Sequence, residues 1–94
     1  MSPAEFRNRV ANEGFEPPVE VVREPNGFLG SHSHPFEAKA LILEGEIQIG
    51  VGADATVYRP GDVFHLPSEQ DHWERYGSEG VVYLSARKSL SLSG

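Results

Sequence analysis

The sequence contains no cysteine. Disulfide frameworks, zinc–thiolate knuckles, iron–sulfur clusters and thiol nucleophiles are therefore excluded. Positive charge is also scarce, with 8 Lys and Arg against 14 Asp and Glu, a formal net charge of −6. Nucleic-acid affinity rests on clustered cations, and only Arg87-Lys88 form an adjacent basic pair, so no nucleic-acid partner is expected. Long apolar runs are missing too. The longest aliphatic stretch, Ala40-Leu41-Ile42-Leu43, is far short of the roughly 20 residues of a membrane span. Met1 to Phe15 is charged and has no apolar secretory core. The expectation is a cytoplasmic protein with no membrane association.

What remains is one domain. The chain has 94 residues, within the usual range for a single compact unit. Its 10 glycines and 7 prolines cut it into short pieces and favour strands and turns. Only the start reads as helix. Ser2 suits an N-cap, Pro3 the first helical position, and Glu5 completes a capping box. Phe6 and Val10 then share a face, and Gly14 offers a stop. This arm, residues 1–16, is expected to pack on an outer face or lie across a partner subunit.

From Val19 onward the period is two. Extended pieces are expected at 19–22, 28–35, 39–43, 46–51, 56–59, 63–66, 72–76 and 81–86, with turns at Asn26-Gly27, Glu44-Gly45, Gly52-Ala53 and Pro60-Gly61. Residues 89–94 read as a loose tail. Seven or eight short strands predict an all-β antiparallel sandwich or barrel with a core over about 19–86.

All four histidines fall between positions 32 and 72. His32 and His34 are two apart in an extended segment, so both imidazoles leave one face and can meet one metal ion. Taken alone, H-x-H also fits a solvated polar turn. Phe36, Ala38, Ala40 and Ile42 share that parity and should line the interior. Glu37 should point outward, toward Lys39 or Arg59, unless a bulge at Pro35 turns it inward as a further metal ligand. Phe36, Tyr58, Phe64, Trp73 and Tyr76 suit either a pocket or plain core. Arg59 and Arg75 suit either an anion site or solvated surface.

Around the histidines the chain resembles the cupin family. His32, His34 and Gly45 follow its first motif, with Gly27 one residue closer to His32 than the motif's glycine, and Gly61, Pro67 and His72 fall in register with its second. Ala38 stands where the family pattern has a glutamate, Glu69 where it has a glycine, and Tyr76 where it has an asparagine. The resemblance implies a small jelly-roll-like barrel and a homodimer paired through an outer strand or the N-terminal segment. It also implies a divalent transition metal (Fe, Zn, Ni, Mn or Cu) held by His32, His34 and His72. Three neutral imidazoles leave the full +2 charge on the metal, which favours an anionic, chelating oxygen donor. His65 is the candidate catalytic acid–base or fourth ligand, or else a histidine hydrogen-bonded to a neighbour. The function implied is an oxygenase or isomerase acting on a small oxygen-rich molecule. The alternatives are a ligand-binding or sensing module without turnover and a metal-free cupin.

Overall fold

The computed structural model describes residues 1–89. Helix α1 spans Pro3–Asn12 and begins as the sequence predicts. The Ser2 hydroxyl accepts from the Glu5 amide, and the Ser2 amide donates to the Glu5 carboxylate, both at 3.2 Å. Six strands follow: β1 (Val19–Arg23), β2 (Phe28–His32), β3 (Phe36–Val51), β4 (Asp54–Tyr58), β5 (Val63–Leu66) and β6 (His72–Ser89). All pair antiparallel in one sheet of order β1-β6-β3-β4, with β2 also on β6 and β5 also on β3. Among the described residues that order does not return on itself, so the pairing is an open sheet rather than a closed ring. No helix among them is long and apolar enough to cross a membrane.

Two long strands replace four of the expected short ones. Glu44-Gly45 is not a turn but a bend inside β3, where the register with β6 slips on either side of Gly45. Gly45 adopts φ 74°, and a Cβ there would lie 2.0 Å from the Gly80 carbonyl oxygen. Gly80, itself at φ 73°, marks the matching bend in β6. Both strands turn together at this crossing, so the ladder continues where the glycine reads as a break. The tail expected at 89–94 lies outside the described residues, except for Ser89, which ends β6.

The strands alternate as the period of two requires, which gives each face its own core. One face carries Ala38, Ala40, Ile42, Ile47, Ile49 and Phe64. The other carries Leu41, Leu84 and Ala86, covered by Phe6 and Val10 of α1 together with Phe15. The arm thus packs on the outer face, and the first face is left to line a cavity.

Candidate metal centre

A one-residue slip in β2 builds the site. Leu29 lies opposite Glu74, yet His32, not Ser31, lies opposite His72. The extra residue between Leu29 and His32 is a bulge, with Gly30 in open space. It sets His32 directly across from His72, and two residues later His34 turns to the same spot. The ring centroids stand 4.2 Å (His32–His72), 4.9 Å (His32–His34) and 5.4 Å (His34–His72) apart. One ring nitrogen from each lies within 4.8 Å of the other two. The structure therefore brings together all three histidines expected to hold the metal.

Second contacts orient the rings. His32 Nδ1 lies 2.7 Å from the Gly30 carbonyl and His72 Nδ1 lies 3.0 Å from the Gln70 carbonyl. A carbonyl only accepts, so Nδ1 carries the proton in both rings and Nε2 is turned to the site. His72 is 2% exposed. Burial holds the His34 pKa below its usual value, helped by the nearby His32 and His72, so its imidazole stays the neutral, ligating form further into the acid range. His32 Nε2 is buried without a hydrogen-bond partner. An unpaired buried nitrogen is costly, and its lone pair is satisfied by a metal cation or by a donated hydrogen bond. The donor set fits a divalent transition metal with positions left open.

Glu74, which neither motif marks, lies beside this group on the side of His32 and His72. It is 7% exposed. Its Oε2 lies 3.1 Å from His72 Nε2 and 3.5 Å from His32 Nε2, and its Oε1 accepts from the Tyr76 hydroxyl at 3.1 Å. The signal was the period of two running on from His72, which puts Glu74 and Tyr76 on the same face. Burial, and then the charge of Glu74, push the Tyr76 and Tyr83 phenols up to about 12.

His65 is not brought to the site. It alternates with Phe64 and Leu66, which face the cavity, and so lies on the outer face opposite Lys39. There it meets Glu37 at 2.6 Å. The acid–base or fourth-ligand role is corrected accordingly, since strand parity puts the imidazole on the wrong side of the sheet. Glu37 points outward as expected, but its partner is His65, whereas Lys39 pairs with Glu13 at 2.7 Å and Arg59 lies 3.7 Å from Glu46.

His32 and His34 open onto a cavity of about 140 Å³. Phe36, Ala38, Phe64 and Leu66 form its apolar wall, and Arg23 and Arg87 bring positive charge to it. Arg87 lies 4.2 Å over the Phe36 ring, and that ring stacks on His34 at 4.9 Å. Trp73 is not in the cavity. It packs against Gly50, where a Cβ would fall 1.9 Å from its ring, and beside Phe28 at 6.0 Å.

The antiparallel β-domain gathers His32 at the end of β2, His34 just beyond it and His72 of the facing β6 beside a small cavity, a group that could hold a metal ion. The family model described as "Cupin domain" matches residues 19–86, and the chain belongs to the cupin family. No curated protein matches. The chain is similar to the cupin domain of Cnp3 from Schizosaccharomyces pombe, at 18% identity over 82% of this chain and 55% of that one, with TM-score 0.70. A cupin-like protein from Thermotoga maritima is similar at 22% identity over 83% of this chain and 60% of that one, TM-score 0.69. The DMSP lyase DddQ from Ruegeria pomeroyi is similar at 23% identity over 83% and 40%, TM-score 0.71. The chain thus spans between two and three fifths of these structures, and at such identities the likeness is one of fold.

Proposed function

We propose that this protein is a metal-dependent cupin whose centre, His32, His34 and His72, acts on a small oxygen-rich anion in chemistry of the oxygenase or isomerase type. The observation that carries the reading is the buried, unpartnered Nε2 of His32 facing the His72 and His34 rings. A divalent transition metal bound there supplies Lewis acidity toward oxygen donors. The chain's own residues do the rest. Arg23 and Arg87 attract and orient a carboxylate or enolate, and Phe36, Phe64 and Leu66 keep water from its apolar side. The small cavity suits a compact ligand. The same reading takes the sheet as a small jelly-roll-like barrel. It also pairs two copies through edge strand β1, where Val19 and Val22 are exposed.

A module that holds its ligand without turnover is the second reading. The position of His65 favours it, because that imidazole is out of reach of the cavity. Calorimetric titration of nickel- or iron-loaded protein with oxalate and acetylacetonate tests the anion site. Binding that is lost on chelator treatment and weakened in Arg87→Gln supports it, and no binding by loaded protein contradicts it. A turnover screen with Fe(II), Mn(II) and Ni(II) then separates the enzyme from the binding module.

A further inference from the structure

We infer that Glu74 is a fourth protein ligand of the metal centre, a carboxylate supplied by β6 in place of the one absent at Ala38. The inference rests on the three-histidine reading and adds a residue to it. Its ground is a convergence of acceptors. His32 and His72 each commit Nδ1–H to a backbone carbonyl, which leaves the Nε2 lone pairs facing inward. Glu74 Oε2 stands against both of them, at 3.1 and 3.5 Å. Lone pairs held that close repel unless a cation lies between them, either a proton or a metal ion.

The spacing suits a metal. With bonds of about 2.1 Å, two adjacent ligand atoms lie about 3.0 Å apart on an octahedron and about 3.4 Å apart on a tetrahedron. The two Glu74 contacts fall close to those edge lengths. The other carboxylate oxygen is tied to the Tyr76 hydroxyl at 3.1 Å, which fixes the headgroup and leaves Oε2 for the site. Ala38 lines the same cavity with no donor atom, and Glu37 is turned outward to His65. Among the described residues, Glu74 is therefore the carboxylate that stands against His32 and His72. With it, one of the metal's two positive charges is neutralised within the protein, and the remaining charge attracts a monoanion more weakly than three imidazoles would.

Cobalt(II) is the probe, because its visible ligand-field bands report the atoms bound to it. Tag-free wild type, Glu74→Gln and the outward-facing Glu37→Gln are compared by competition against a chromophoric chelator and by visible absorption. The expected result is a loss of at least tenfold in cobalt affinity for Glu74→Gln together with displaced bands. Glu37→Gln should stay within twofold of wild type with unchanged bands. Wild-type bands in Glu74→Gln, whatever its affinity, overturn the inference and leave Glu74 as a positioning residue for His72. Failure of the wild type itself to take up cobalt overturns the three-histidine reading instead. Should Glu74→Gln fail to fold, Glu74→Asp serves, because withdrawing the oxygen by one methylene moves the bands of a ligand and leaves those of a bystander in place.

Discussion

His32 and His72 face one another across β2 and β6 only because β2 carries one residue more than the ladder needs. The two rings, 4.2 Å apart, are nevertheless held very differently. His72 is buried, its Nδ1 held by the Gln70 carbonyl and its Nε2 set 3.1 Å from Glu74 Oε2. His32 keeps one nitrogen unpaired. Replacing His72 with alanine empties a fully buried position and leaves the Gln70 carbonyl without its donor, and should destabilise the metal-free fold by roughly 2–3 kcal/mol. Replacing His32 removes one engaged nitrogen and one orphan, with a cost of about 1 kcal/mol or less. Urea unfolding of the two chelator-treated variants checks the order.

Glu69 is a second place where sequence and backbone disagree. It stands at φ 64°, in the left-handed region, where the family pattern has a glycine. Its amide donates to the His34 carbonyl at 2.7 Å, so the loop holds this conformation against its side-chain preference. Glu69→Gly should raise stability by roughly 0.5–1 kcal/mol and leave metal affinity unchanged. Thermal melts with and without metal test both halves.

Tyr76 and Tyr83 should ionise late. Burial, reinforced by the Glu74 charge, raises both phenols from 10 to about 12. Between those values the unfolded chain loses protons that the folded one retains. Stability should therefore be unaffected by these groups below pH 10 and fall as pH rises from 10 toward 12. Absorbance at the tyrosinate band, followed together with unfolding, should show these two phenols titrating only at the upper end of that window.

His65 and Glu37 should be dispensable for metal. Their pair lies on the outer face with side chains 44% and 31% exposed. His65→Ala should leave metal affinity within twofold of wild type and cost less than about 1 kcal/mol of stability. A tenfold loss of affinity would return His65 to the site.

The parity of β3 was readable in advance. Phe36, Ala38, Ala40 and Ile42 were expected on the inner face, and three of them line the core while Phe36 borders the cavity. The arm's capping box and its apolar pair were equally plain, because they depend on neighbours within one or two turns. The continuity of β3 was not. Gly45 reads as a turn until Gly80, 35 positions later, bends against it, and that is a pairing no local pattern contains. Glu74 was missed for a different reason. It falls at an unspecified position of the second motif, between His72 and Tyr76, and only the period of two from His72 points to it.

Metal content tests the central claim most directly. Protein purified without a histidine tag, reconstituted with divalent ions and desalted, is analysed by elemental mass spectrometry beside His72→Ala. The account predicts close to one transition-metal ion per wild-type chain and a loss of most of it in the variant. Absence of bound metal from the wild type after reconstitution with iron, zinc, nickel, manganese and copper would contradict it.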